Sequence, residues 1–219
     1  PVRTVPWWSA LSAASAPVLL IGGWQLAAAR QPGGFDPVRQ TISALAAHGA
    51  TDRWIMTTGL AGVGVCHVVT AVGLRSAAPA GRVLLATGGA ATVAVAAFSQ
   101  PLNGDSSAHV TAAAVAFPAL SLWPALAWRP GRSPSRTVSL VAASGLLALL
   151  GWFGLDYFTG SSRIGLSERV LAAAQSLWPL AAVATVLLRP RKPAADRGER
   201  GLDNGSLLPG RSPGGRKGR

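Results

Sequence analysis

The stretch VSLVAASGLLALLGWFGLDYF, residues 138–158, decides the fold. Its only charged side chain is Asp156, near the far end. About 30 Å of hydrocarbon is crossed by roughly 20 helical residues, and this run has that length. A backbone in lipid finds hydrogen-bond partners only within itself, so the run must be a helix. Working outward, five more runs read the same way: Trp7–Ala29, Trp54–Gly73, Val83–Ser99, Val110–Trp128 and Val170–Leu188. None carries Lys or Arg in its interior. The third is short and rich in small residues, and Gly88, Gly89, Ala90 and Ala91 suit close helix contact. Trp7, Trp8, Trp54 and Trp128 fall at span ends, where the indole ring favours the interface.

Composition agrees. Of 219 residues 49% are apolar and only 13% charged, about half the usual quarter for a soluble domain. That excludes a disordered chain and most soluble enzymes, and the single Cys66 excludes a disulfide scaffold. Cys66 reads as a small core residue. Arg far outnumbers Lys, and Ala, Gly and Pro abound, which suggests a GC-rich bacterial genome. The fold class is therefore all-α: a polytopic bundle of six transmembrane helices in a bacterial inner membrane.

The net charge of +12 resolves by position. With the N-terminus inside, inner segments hold fifteen of the twenty basic residues and outer segments five. Basic residues prefer the cytoplasmic side, so both termini are expected there. The acids ahead of the tail, Asp36, Asp52, Asp105, Asp156 and Glu168, all fall on the outer side. The first span loosely imitates a signal peptide, ending in Ala27-Ala28-Ala29, but its length and Trp7-Trp8 favour a retained helix. Residues 189–219 form a Gly-, Pro-, Ser- and Arg-rich tail with nine bases and three acids, expected to be disordered. Such a tail anchors topology and meets anionic lipid headgroups. Without interleaved aromatics it does not read as a nucleic-acid binder.

The outer connections hold the chemistry. Asp36-Pro37 reads as an N-cap followed by Pro at the first helical position. Val38, Ile42, Leu45 and Ala46 then share a stripe and Gly49 closes it, predicting a short outer amphipathic helix near 37–48. Thr51 is expected to cap the second span and Ser167 the sixth, leaving Glu168 beside the positive helix end. Asp105 or Ser106 is placed to cap the fourth.

The run Val38-Arg39-Gln40-Thr41-Ile42-Ser43-Ala44-Leu45, with Gly49-Ala50, Arg53-Trp54-Ile55-Met56 and Gly165-Leu166-Ser167-Glu168-Arg169, resembles an uncharacterised bacterial family. The family is known as domain of unknown function 998. It is distantly similar to Frag1/DRAM/Sfk1-like membrane proteins. The resemblance covers about residues 15–188 and implies six helices and an unassigned activity. It carries over no catalytic residue.

The residues themselves suggest an outward-facing polar pocket. Asp105 and His109 lie four apart and can share a helix face as an acid–base pair, with Glu168 as a second acid. Arg39 or Arg169 can hold an anionic headgroup. Ser43, His48, Asp156 and Gln175 complete the candidate ligand-binding set, and Ser43, Ser106 or Ser107 could serve as a nucleophile, although no Gly-x-Ser-x-Gly pattern supports one. No motif spacing demands a metal, and no cofactor is expected. His67 lies about 20 Å down the second span from Trp54. An intramembrane His is a functional hint, although a neutral ring bonded to Thr70 or a carbonyl is the simpler expectation. Three functions remain. The first is a lipid- or partner-binding membrane protein. The second is a hydrolase or transferase acting on a lipid at the outer leaflet. The third is a small transporter working as an oligomer, which requires a polar path inward from His67.

Overall fold

The apolar runs fold as helices because lipid offers the backbone no other partners, even with Pro17, Pro118, Pro124 and Pro179 inside them, and the breaks come where the sequence supplies stop signals. The computed structural model describes residues 5–101 and 106–188. Asp105 and the basic tail 189–219 lie outside the described residues. The elements are α1 (Trp7–Ala29), a single 3-10 turn (Ser43–Ala46), α2 (Trp54–Gly73), α3 (Pro79–Ala97), α4 (Ser107–Ala127), α5 (Arg136–Thr159) and α6 (Ile164–Leu187). Pro79 opens α3, where a missing N–H is harmless. The Ser106 and Ser135 hydroxyls accept from the His109 and Val138 N–H groups and start α4 and α5. Gly160 ends α5 in the left-handed conformation (φ 64°).

The six helices are 19 to 24 residues long and apolar enough to cross a membrane. Their outward faces are apolar too: Val18, Val83, Val141 and Phe158 are exposed. A helix that is apolar all round belongs in lipid. The helices pack in chain order as a closed ring, α6 returning to α1, and α6 also touches α2 and α4. The most extensive contacts join α1 to α2, α2 to α3 and α3 to α4, whereas α5 leans less fully on α4 and α6. Glycine sets the closest approach. A Cβ on Gly64 would sit 2.5 Å from the Gly89 carbonyl oxygen, and one on Gly89 would sit 2.6 Å from the Gly64 oxygen. Only residues without a side chain let α2 and α3 cross at this distance.

Alternation of the helices gathers residues 30–53, 98–101 and 160–163 at one end of the bundle, called the loop end below. The beginning of α1 and the close of α6 mark the termini end. Each end has its own buried apolar cluster. Leu20, Trp24, Leu45, Met56 and Leu60 centre the cluster toward the loop end. Leu74, Leu85, Leu120, Trp123 and Val183 centre the other.

The short outer helix is confined to Ser43–Ala46, and residues 37–39 form turns. The physical reason is competition from α6. In a continuous helix the Ile42 N–H would bond the Val38 carbonyl. Here the Val38 carbonyl accepts from the Leu166 N–H (3.1 Å), and the Ile42 N–H donates to the Glu168 carboxylate. The capping role of Asp36 appears in the turn, its Oδ1 accepting from Val38 and Arg39 N–H at 2.9 and 3.3 Å. Two other expected caps are corrected. Thr51 makes no cap on α2; its N–H and carbonyl pair with the Gln31 side chain. Ser167 lies within α6, which begins three residues earlier, and its hydroxyl donates to the Ile164 carbonyl.

Candidate functional site

The segment 36–46 lies against the first turns of α6 and α4, and this packing assembles the polar residues. Arg169 is the clamp. Its Nη1 reaches the carbonyls of Pro37 (2.8 Å), Gln40 (2.6 Å) and Gly165 (2.9 Å). Its guanidinium stands 5.2 Å from the Phe35 ring centre and 6.0 Å from that of Trp24. Gly165 permits the approach, since a Cβ there would run into the Gln40 and Pro37 carbonyls. One residue earlier than Arg169 along α6, Glu168 is buried. Besides the Ile42 N–H, its carboxylate meets the Ser43 hydroxyl at 3.4 Å.

His109, in the first turn of α4, completes the chain. Its Nε2 is 3.2 Å from Ser43 Oγ and its Nδ1 is 2.9 Å from the Phe98 carbonyl oxygen. A carbonyl only accepts, so Nδ1 carries a proton. Ser43 has one hydroxyl proton to share between two neighbours. Ser43 thus links His109 to Glu168.

Beside this chain runs a groove of about 410 Å³ between α4, α5 and the start of α6. Its polar head is formed by Thr41, Ser43, His109 and Glu168, and its body by Phe117, Leu150, Phe153 and Tyr157 among other apolar groups. Phe117 and Phe153 stack with ring centres 5.1 Å apart, and Phe153 meets Tyr157 at 6.4 Å. Such a volume with apolar walls and a few converging polar groups is typical of a ligand pocket.

The remaining candidates lie elsewhere. Arg39 is exposed and pairs with Asp36 at 3.6 Å. His48 is exposed, and its Nδ1 accepts from Arg53, whose other Nη donates to Ser99. Asp156 is buried on α5 with its Oδ2 unpartnered. Gln175 donates to the Phe117 carbonyl (2.8 Å) and Ser121 Oγ (2.9 Å), deeper in the bundle. Among the described residues no three His, Cys, Asp or Glu side chains gather where they could hold a metal ion. The aromatic wall of the groove was not singled out in the sequence, although Phe153 and Tyr157 stand one helical turn apart on a single face. His67 departs from expectation: neither ring nitrogen has a partner, and the Thr70 hydroxyl is unpartnered as well.

Six helices long and apolar enough to cross a membrane, packed as one bundle, define a multi-pass membrane protein. The chain belongs to the family described as "Protein of unknown function (DUF998)", whose model matches residues 14–185. No curated protein and no solved structure matches it.

Proposed function

We propose that this protein binds an amphipathic lipid, or a membrane partner of the same chemistry, in the groove between α4, α5 and α6. One observation carries the reading: an apolar, aromatic-walled groove ends on the linked side chains of Glu168, Ser43 and His109. An acyl tail fits the walls, and a headgroup that both donates and accepts hydrogen bonds, such as a glycerol or sugar hydroxyl, suits the head. Arg169 holds the 36–46 segment and so positions the head of the site. The basic bias of the opposite side supports a loop end facing outward, with both termini in the cytoplasm of a bacterial cell. The basic tail then meets anionic headgroups of the inner leaflet.

The test is photo-crosslinking in native membranes with a clickable lipid whose tail carries a diazirine. Labelled peptides are expected from α4 and α5 around Phe117 and Phe153. Gly154→Trp should abolish them, because Gly154 borders the groove and has open space where a side chain would go. Labelling spread evenly over all six helices, unchanged by that variant, would refute a specific site.

A second reading rests on the contact between Ser43 Oγ and His109 Nε2. In a hydrolase or transferase, Ser43 would attack an acyl carbonyl while His109 takes its proton and returns it to the leaving alcohol. The Ile42 N–H next to Ser43 is committed to Glu168, so an oxyanion would have to displace that carboxylate. Labelling of wild type but not Ser43→Ala by a fluorophosphonate probe would favour this reading; no labelling would count against it.

A further inference from the structure

Within the bundle, bordered mostly by the loop-end cluster, lies a cavity of about 60 Å³. It reaches from Ser43 and Glu168 at the loop end, past Leu60, Val63 and Gln175, to His67 and Leu120. A water needs about 10–15 Å³ of such space, so the cavity admits a few. Its lining is mostly apolar, and an apolar cavity of this size would stay dry. His67 changes that balance. The residue is 1% exposed, and both ring nitrogens lack a protein partner. A neutral imidazole has one donor and one acceptor, and leaving both unmet in a low-dielectric interior carries the full desolvation penalty of each. Polar atoms for a water chain are at hand. Thr92 Oγ1 donates to the Gly88 carbonyl and keeps lone pairs free. Gln175 uses its NH2 on Phe117 and Ser121, so its amide oxygen remains.

Only His67 and Glu168 ionise among the residues lining this cavity. Glu168 and Ser43 also line the groove, so they form the wall between the cavity and the groove that reaches the loop end. Past His67 the path closes: Leu74, Leu85, Leu120, Trp123 and Val183 are all buried and pack as one cluster.

We propose that this cavity holds water and forms a proton path that is open toward the loop end and closed toward the termini end, with His67 as its terminal proton acceptor. The transfer balances. A proton passes from the Glu168 carboxyl to a water, and a proton from the water chain passes to a His67 nitrogen. Glu168 is left as carboxylate and His67 becomes imidazolium; a proton from the groove then restores the Glu168 carboxyl, so one proton has entered from the loop end and the site has gained one positive charge. The inference stands on the cavity and the unpartnered ring and does not require that a lipid occupies the groove.

The experiment is solid-state NMR of histidine-15N protein in lipid bilayers. His48, His67 and His109 are the only histidines, and a His67→Asn sample assigns the central one. The expected result is rapid magnetisation transfer from water to the His67 ring and a His67 signal that moves with bulk pH. Ala116→Leu, which fills the cavity, should remove both effects and leave the His109 signals in place. Glu168→Gln cannot pass a proton and should remove the pH response while water transfer persists. Absence of water transfer to His67 in the wild type overturns the proposal without any variant. So does a His67 pH response that survives both substitutions.

Discussion

The two ends of the bundle are held by different physics. At the loop end, buried polar side chains bond across long sequence separations: Arg169 to Pro37 and Gln40, Glu168 to Ile42, His109 to Ser43. At the termini end, backbones meet because small residues let them, and side-chain hydroxyls also bond between helices, such as Ser9 to the Thr70 carbonyl. The Ala78 N–H donates to the Ala127 carbonyl at 2.8 Å, and a Cβ on Gly81 would lie 2.5–2.7 Å from atoms of Ala127. Arg82 there acts locally, covering the Ala71 and Val72 carbonyls at the end of α2. A polar end is specific and alterable; an end closed by small residues is rigid and shut. A site that exchanges ligand or protons with its surroundings belongs at the first.

The comparison breaks most visibly at Arg169. Arg169→Met keeps much of the stem and removes every donor, leaving three carbonyls without their charged partner. Hydrogen bonds to a charged group contribute about 1.5–3 kcal/mol each, and they are not additive, so a loss of about 3 kcal/mol is expected. Thermal unfolding in detergent should shift down by several degrees, with protease access appearing first in residues 36–46. Unchanged access there would mean the clamp is not what orders the segment.

At the other end the sensitive change is an added methyl. Gly81→Ala forces a Cβ into Ala127, where backbone rather than a flexible side chain stands in the way. Overpacking of that kind costs about 1–3 kcal/mol. The same readout should show lowered stability, but with the loop-end protease pattern intact. If Gly81→Ala opened the 36–46 segment as Arg169→Met does, the two ends would not be independent.

Ser43→Ala is smaller and sharper. It deletes the middle of the chain and leaves His109 Nε2 and one Glu168 oxygen without that partner. The expected loss is about 1 kcal/mol, since the neighbours keep Phe98 and Ile42. Its distinguishing effect is on the linkage: in the alanine variant the His109 ring NMR signals should be unmoved by Glu168→Gln, whereas in the wild-type background they should shift. Equal response in both backgrounds would show that the hydroxyl does not couple them.

These contrasts explain what was readable in advance. The spans are written as uninterrupted apolar runs, and lipid allows such runs a single structure. Glu168, His109, Ser43 and Arg169 stood out because ionisable or hydroxylic residues are conspicuous at the edges of such runs. Their partners did not. The Glu168–Ile42 bond joins residues 126 positions apart, and the Phe98 carbonyl that fixes His109 belongs to a backbone atom with no sequence signature. Of the stripe Val38, Ile42, Leu45, Ala46, the last three are buried and Val38 is exposed. Its helical period did not reveal that α6 would take over the Val38–Ile42 bond. Arg169 looked free to hold an anion. Its Nη1 is committed to main-chain carbonyls, while Nη2 remains buried and unpartnered.

The smallest expected effect lies on α5, and it tests whether the groove side of the bundle is as loosely packed as it looks. Gly145, Gly151 and Gly154 have nothing within 4 Å of where a Cβ would be, in contrast to Gly64, Gly81 and Gly89. Glycine in a helix interior costs about 1 kcal/mol relative to alanine in water, from extra freedom in the unfolded chain. A helix already formed in lipid gains less from losing that freedom. Gly151→Ala should therefore leave unfolding within about 0.5 kcal/mol of wild type, on the stabilising side. Gly151 is exposed and does not border the groove, so lipid photo-labelling should be unchanged as well. A clear destabilisation would mean that another surface packs on α5 in the membrane, a second copy of the chain being the simplest. The site between α4, α5 and α6 would then be closed by a neighbour rather than open to lipid.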